Sequence, residues 1–204
     1  MAREISHISI MVHPHYASGF LETTSTPIYA GRLRSVPPIS RKLSSKVGDR
    51  PLAVNYLEQI EAMHQFYKRQ IIRARKNPKE VLVIIGAKPS GFGWIGTPQD
   101  VPSAGALVST AKTVVDHSYA RQKSLQNAGR KRLGKRFISL DLDPGRLDHV
   151  ALKVMLELRT RGFNLSDPSV EVFGETQSVC VADVKRSFIR AKFKTKVAES
   201  KSVD

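Results

Sequence analysis

Residues 81–85, Val-Leu-Val-Ile-Ile, form a continuous apolar run in which four of the five side chains are β-branched. Such a run is typical of a strand buried on both faces of a parallel sheet. An amphipathic helix is predicted immediately before it, over residues 55–76, and Asn77-Pro78 ends that helix. A helix followed at once by a buried strand is the repeating unit of α/β proteins, so this stretch indicates the fold class.

The same alternation of strand and helix continues on both sides of this stretch. The sequence predicts further strands at residues 5–12, 137–142 and 170–173, and helices that begin at Ser103, near Leu147 and after Gly174. Alternating strands and amphipathic helices give a mainly parallel sheet. We therefore predict a single α/β domain over residues 1–192, a three-layer Rossmann-like sandwich with helices on both faces of the sheet.

Three segments do not fit this alternation. Residues 18–51 are rich in Pro and Arg and are predicted to be an insertion into the domain. Residues 121–136 are predicted to be a basic loop, because Gly129 and Gly134 disfavour a long helix there. Residues 193–204 are predicted to be a basic, flexible tail.

The net charge of +15 is concentrated in a third of the chain. Residues 31–50, 68–79, 121–136 and 185–204 hold 26 of the 33 Lys and Arg residues and only three of the 18 acids, so they carry +23 and the remainder carries −8. Basic clusters bind polyanions by releasing counterions from phosphates, which predicts RNA, DNA or a ribonucleoprotein as partner. A solvated surface that keeps the protein soluble is the alternative. The candidate nucleic-acid residues are Arg130, Lys131, Arg132, Lys135, Arg136, Lys192, Lys194 and Lys196.

The composition also indicates the cellular compartment and whether a segment could span a membrane. The single cysteine excludes an internal disulfide framework and favours a reducing compartment, so we expect an intracellular protein, cytoplasmic or in an equivalent compartment. The apolar run at 81–85 is too short to span a bilayer, and the first residues lack the apolar core of a secretory signal. No pattern in the sequence requires a cofactor, and a homo-oligomer is left open.

Chemically versatile side chains follow the predicted strands. In open α/β sheets ligands bind beyond the carboxyl ends of the strands, so these side chains predict a site for a small molecule. Polar residues also end strands for purely structural reasons, which is the alternative. The candidate residues are His13 and His15 after the first strand, Lys88 and Trp94 after the second, Asp141 and Asp143 after the third, and Gly174, Glu175, Thr176 and Cys180 after the fourth.

Two short stretches resemble the C-terminal part of the isochorismatase-like, or nicotinamidase-related, cysteine hydrolases. They are Leu-Arg-Thr-Arg-Gly at 158–162 and Val-Glu-Val-Phe-Gly-Glu-Thr-Gln-Ser-Val-Cys-Val at 170–181. The similarity covers about the last quarter of the chain. It implies the same α/β fold, with Cys180 as the nucleophile that attacks an amide, ester or vinyl ether bond. The alternative from the residues themselves is that Cys180 is a small core residue.

The chain departs from the family pattern at other positions. The family's first strand usually ends in an aspartate, whereas this strand ends in His13-Pro-His15, so a histidine would have to act as the base for Cys180. Lys88 and Lys135 are candidates for the family's catalytic lysine by neighbourhood alone. His13 and His15 could also join a carboxylate in holding a divalent metal, but Pro14 disturbs the strand geometry and no metal site is predicted. Two hypotheses follow, a ligand-binding or hydrolytic descendant of this family and a non-enzymatic basic scaffold for nucleic acid.

Overall fold

The computed structural model describes residues 3–14, 51–86, 105–142, 147–174 and 180–197. Five strands and four helices alternate along these residues, with one short 3₁₀ turn at Gly134–Arg136. In chain order they are β1 (Arg3–Val12), α1 (Pro51–Lys76), β2 (Glu80–Gly86), α2 (Gly105–Leu133), β3 (Phe137–Asp141), α3 (Val150–Thr160), β4 (Phe163–Gly174), α4 (Ala182–Arg190) and β5 (Thr195–Val197).

The five strands form one parallel sheet in the order β3-β2-β1-β4-β5. The register pairs Val12 of β1 with Ile85 of β2 on one side and with Gly174 of β4 on the other. β2 and β3 lie on one side of β1, and β4 and β5 lie on its other side. This is a Rossmann-like arrangement, so the predicted α/β fold class is confirmed.

Each face of the sheet is covered by two helices. On the first face, Tyr67 of α1 and Leu125 of α2 pack on Met11, Leu82 and Phe173 of the sheet. On the second face, residues of α3 and α4 pack on alternate residues of the same strands. β2 is buried at all seven positions, as its apolar run predicts. The second-face cluster includes Ile8, Ile10, Val83, Val172, Val154, Leu158, Val184 and Phe188.

The basic segment at 121–136 is helical over most of its length, so the loop predicted there is wrong. α2 continues without a break through Gly129 to Leu133. A Cβ at Gly129 would lie 2.2 Å from the Phe137 ring, so this glycine lets the ring pack directly against the helix. That contact outweighs the low helix propensity of glycine. None of the described helices, including this one of 29 residues, is both long and apolar enough to cross a membrane.

The C-terminal tail also differs from the prediction. Thr195–Val197 forms β5 and pairs in parallel with Val170–Val172 of β4. The chain reaches this position through a turn after α4, in which Lys192 has a φ of 65° and its N–H donates to the carbonyl of Ile189. The first residues of the predicted tail are therefore a fifth strand, which the sequence analysis missed because the strand has only three residues.

Candidate functional site

The carboxyl edge of the sheet holds the described members of the predicted small-molecule site. His13 follows β1, Asp141 ends β3, Gly174 ends β4, and Cys180 precedes α4. Because all five strands are parallel, these four residues lie toward the same edge, with the ends of β1 and β4 side by side. The other predicted members lie outside the described residues: His15, Lys88, Trp94, Asp143, Glu175 and Thr176.

His13 occupies the point where the chain leaves β1. Its N–H donates to the carbonyl of Ile85 at 2.8 Å, so it continues the pairing with β2 for one more residue. Its φ of 44° lies in the left-handed region, which few non-glycine residues adopt. The side chain is only 2% exposed. A buried imidazole therefore stands at the end of β1, next to the strand that leads to Cys180.

Gly174 has a packing reason to be glycine. A Cβ at this position would lie 2.5 Å from the carbonyl oxygen of Val12 and 2.9 Å from Cγ2 of Val181. The first of these contacts is with main chain, which cannot move aside in the middle of a sheet. Gly174 is thus required because β1, β4 and the segment before α4 approach one another closely. The same glycine contributes to the resemblance with the cysteine hydrolases.

Cys180 is a buried member of the core between the sheet and the α3–α4 layer. It is 6% exposed and belongs to the same cluster as Val181 and Val184. Burial, and secondarily the carboxylate of Asp183, raises the pKa of the thiol to about 11. A nucleophilic cysteine needs the opposite shift, because the thiolate is the reactive form. The surroundings of Cys180 therefore favour the alternative of a small core residue.

The opposite, amino edge of the sheet collects the ends of all four helices. Each helix leads into the start of a parallel strand, so each one ends at this edge. Exposed bases occupy every one of these ends, and one more stands at the start of β1. We call this set the basic edge, and its twelve members are Arg3, Arg75, Lys76, Lys79, Arg130, Lys131, Arg132, Lys135, Arg159, Arg190, Lys192 and Lys194.

Few acids oppose these bases. Three exposed or half-exposed carboxylates lie on the same elements close to the edge, and each has a basic neighbour. Glu4 lies 3.7 Å from Lys79, Asp167 lies 2.9 Å from Lys194, and Glu157 lies 2.9 Å from Arg161. Within the described part of the chain, the basic edge therefore carries a large excess of positive charge.

Most of the predicted nucleic-acid residues belong to the basic edge. Arg130, Lys131, Arg132 and Lys135 are exposed at the end of α2 or just after it, and Lys192 and Lys194 are exposed after α4. Lys196 lies in β5, and its side chain is outside the described part of the structure. Arg75, Lys76, Lys79, Arg159 and Arg190 were not among the predicted nucleic-acid residues. Their common signal is a basic residue in or just after the last turn of a helix.

Arg136 has a structural role that its neighbours lack. Its Nη1 donates to the carbonyl oxygens of Ala74, Asn77 and Glu80 at 2.8, 2.7 and 2.9 Å. These carbonyls belong to the last turn of α1, to the connection after it and to the first residue of β2. The guanidinium thus closes the C-terminus of α1, where carbonyls lack intrahelical partners. Arg136 was predicted to contact nucleic acid, and its guanidinium is instead directed at main chain.

We expect Arg136→Met to lower the free energy of unfolding by about 2 kcal/mol, because three carbonyls lose a charged donor. Urea denaturation followed by circular dichroism would measure the change. Lys135→Met is the matched control, since it removes a neighbouring exposed charge and should shift stability by less than about 0.5 kcal/mol. Equal stability of the two variants would contradict the structural role of Arg136.

A network of charged side chains lies inside the basic edge, on the first face of the sheet. Arg73 Nη2 donates to Glu171 Oε2 at 2.6 Å, to Ser9 Oγ at 2.8 Å and to Glu80 Oε1 at 3.3 Å. Ser9 in turn donates to Glu80 at 2.6 Å, and His7 Nε2 lies 3.5 Å from Glu171. Because Glu80 and Glu171 are buried, this network ties the last turn of α1 to β1, β2 and β4.

Comparisons with other proteins assign neither a family nor a function to the chain. The chain matches no known family model, and no match was found to a curated protein or to a solved structure. The resemblance to the isochorismatase-like hydrolases stays a prediction. Among the described residues, no group of three or more His, Cys, Asp or Glu side chains could hold a metal ion. The fold and its two edges define a Rossmann-like α/β protein with a strongly basic amino edge.

Proposed function

We infer that the protein binds a structured nucleic acid through the phosphates that face its basic edge. The observation that carries this proposal is the gathering of twelve exposed bases at one edge of the sheet, from the ends of all four helices and the start of β1. Segments that lie far apart in the sequence contribute to one surface. A merely solvated chain gives no reason for this clustering on a single side of the domain.

The helix dipole explains only part of the pattern. A base in the last helical turn is stabilised by about 0.3–1 kcal/mol, which could account for residues such as Arg159 or Arg190. Lys79, Lys135 and Lys194 lie beyond the helices, and Arg3 begins a strand. These four bases gain little from any helix dipole, yet they extend the same surface. Attraction of an external polyanion accounts for both groups.

The dimensions of this edge suit a duplex. Five strands with a spacing of about 4.8 Å make an edge about 20 Å long, and a duplex segment of about 20 Å carries about 12 phosphate charges. Among the Phe and Tyr side chains whose burial the structure describes, Phe66, Tyr119 and Phe193 are half-buried and the others are buried, so none of them is an open platform for stacking unpaired bases. Recognition through phosphates and shape therefore favours base-paired RNA or DNA over a single strand.

The test is binding of the full chain to labelled RNA and DNA duplexes of about 20 base pairs and to single strands of the same length, followed by fluorescence anisotropy. With four to six phosphate contacts, we expect affinity for the duplexes to fall on the order of 10²–10³-fold between about 50 and 200 mM salt. Failure to bind at the lower salt concentration, or an affinity that salt does not change, would refute the proposal. Tighter binding of the single strands would refute the preference for a duplex.

Hydrolysis through Cys180 is the other function that the sequence predicts, and the pKa shift of this thiol argues against it. With a pKa near 11, instead of the ordinary value of 9.0, the thiolate fraction near neutral pH falls on the order of 10²-fold. We therefore expect iodoacetamide to modify Cys180 in the native protein at least that much more slowly than it modifies a free thiol. Full modification after denaturation in urea is the control. Modification faster than that of the free thiol would restore the hydrolase hypothesis.

A further inference from the structure

One side of α2 is polar where it packs against the rest of the domain. Ser118, Gln122 and Gln126 lie one turn apart, and their exposed fractions are 0%, 2% and 1%. The apolar residues Leu125 and Leu133 of the same helix are also buried, and Leu125 lies between Gln122 and Gln126 in the sequence. Gln122 and Gln126 lie at the level of the carboxyl edge, because their amide nitrogens are beside Gly86, the last residue of β2. We call Ser118, Gln122 and Gln126 the polar stripe.

The polar stripe converges with the ends of β2 and β3. A Cβ at Gly86, the last residue of β2, would lie 2.7 Å from Asp141 Oδ1, 2.8 Å from Gln122 Nε2 and 3.0 Å from Gln126 Nε2. Gly86 pairs with Asp141 in the sheet, and Gln126 Nε2 donates to Asp141 Oδ1 at 3.3 Å. Two amide donors and one carboxylate thus meet over a glycine that has no side chain to separate them.

Two atoms of the polar stripe have no partner within the described structure. They are Oγ of Ser118 and Oε1 of Gln126, both buried. A buried hydroxyl or carbonyl without a hydrogen bond destabilises a fold, and apolar residues of similar shape would avoid that cost. The unpaired carbonyl belongs to the same amide group that reaches Asp141. The site therefore has unused hydrogen-bonding capacity at the point where its polar groups meet.

Charged groups of α1 and α2 flank the polar stripe: His117 Nε2 lies 2.7 Å from Glu61 Oε1, and Arg121 Nε donates to the same oxygen at 2.6 Å. His64 of α1 is completely buried and interacts electrostatically with Arg121 and His117 of α2. Burial, followed by the charges of Lys68 and Arg121, lowers the pKa of this imidazole to about 4, so it is neutral at physiological pH. Asp141 is the only acidic side chain among the groups that converge at Gly86. An anion would be repelled there, whereas a neutral group with a hydrogen-bond donor would be attracted.

We propose that the polar stripe, Asp141 and the backbone of Gly86 form a binding site for a small neutral ligand with a planar amide edge, such as a nucleobase or a carboxamide. The N–H of this edge would donate to the carboxylate of Asp141 or to the unpaired Oε1 of Gln126, and its carbonyl would accept from the amide of Gln122. In a primary carboxamide or a cyclic imide such as uracil, the N–H and the carbonyl lie side by side on one edge, which matches the adjacent carboxylate and amide groups of the protein. The site lies at the carboxyl edge of the sheet, where open α/β folds bind their ligands.

The experiment measures binding of uracil and benzamide to the full chain by calorimetry or ligand-observed NMR. 1,3-Dimethyluracil and N,N-dimethylbenzamide are the matched compounds, because they keep the ring and carbonyl but lack the N–H. We expect the N–H compounds to bind at least 10-fold more tightly. Binding of uracil alone would assign a nucleobase, and binding of benzamide alone a carboxamide. Failure of both compounds to bind, or equal binding of the methylated compounds, would overturn the proposal.

Variants of the site give a second test. Asp141 is exposed, so Asp141→Ala should fold normally and weaken binding of the preferred compound at least 10-fold. Gln126→Leu should weaken binding as strongly and raise the melting temperature of the ligand-free protein, since it removes an unpaired buried carbonyl. Asn127→Ala changes an exposed neighbour on the same helix and should leave binding unchanged. Unchanged binding in both site variants would overturn the assignment.

Discussion

Replacing Lys131, Arg132 and Lys135 together by glutamine should lower the affinity for a DNA duplex on the order of 10²-fold at about 0.1 M salt. Each phosphate contact releases counterions, so the loss of three contacts should also reduce the slope of log affinity against log salt by about 2.7. Lys131 and Arg132 are exposed at the end of α2 and Lys135 in the turn just after it, and none of the three has an ion pair among the described residues. Anisotropy titrations at several salt concentrations measure affinity and slope together.

The matched control replaces Arg69, Lys153 and Lys185 by glutamine. Arg69 lies within α1, and Lys153 and Lys185 lie in the first turns of α3 and α4, away from the C-terminal helix ends that form the basic edge, so the change in net charge is the same and only its position differs. We expect the control to retain most of the affinity and most of the salt dependence. If both triple variants lose affinity equally, net charge and not the basic edge determines binding, and the proposed surface is wrong.

Much of the fold follows from local patterns in the sequence. The run at 81–85 is a strand buried on both faces, and the helix predicted before it ends at Lys76 as expected. These elements are predictable because burial on one or two faces leaves a periodic apolar pattern. The loop predicted around Gly129 was wrong, because the close contact of this glycine with the Phe137 ring depends on how α2 packs against β3. Such a contact between separate elements leaves no mark in local composition.

The candidate sites were predictable to different degrees. The bases at 130–135 stand out as a charge cluster, but Arg159 and Arg190 join the same surface only because every helix ends at the amino edge. The polar stripe was missed for a related reason, since residues 121–136 were predicted to be a loop. Once the segment is helical, the spacing of four residues from Ser118 to Gln122 and Gln126 places their side chains on one side.

The two edges of the sheet differ in chemistry because all four helices run in the same direction, from the carboxyl edge to the amino edge. Each helix ends at the amino edge, where a negative dipole end tolerates many bases, and the basic edge uses every one of these ends. At the carboxyl edge the polar stripe, Gly86 and Asp141 offer mainly neutral hydrogen-bonding groups. A polyanion at one edge and a neutral ligand at the other could bind simultaneously, without competing for residues.

Arg73→Met should lower the free energy of unfolding by about 3 kcal/mol at neutral pH and low salt. The side chains of Glu80 and Glu171 are 3% and 10% exposed, and Arg73 is the base that contacts both. Removing one partner of a buried ion pair leaves an uncompensated charge, which typically costs about 3–5 kcal/mol. The side chain of Arg73 is 44% exposed, so solvent already screens its charge and the lower end of that range applies. Urea denaturation measures the change.

Two control variants separate the loss of pairing from the loss of an arginine. Arg69→Met removes an exposed base one turn earlier in α1 and should change stability by less than about 0.5 kcal/mol. Adding Glu80→Gln and Glu171→Gln to Arg73→Met should recover most of the lost stability, because amides need no counter-charge. If Arg73→Met is no less stable than Arg69→Met, the network does not hold α1 against the sheet. The side chain of Arg73 contacts this network, so the folded Arg73→Met variant should keep more affinity for the duplex than the triple variant of Lys131, Arg132 and Lys135. That result would assign nucleic-acid binding to the exposed bases of the basic edge and stability to Arg73.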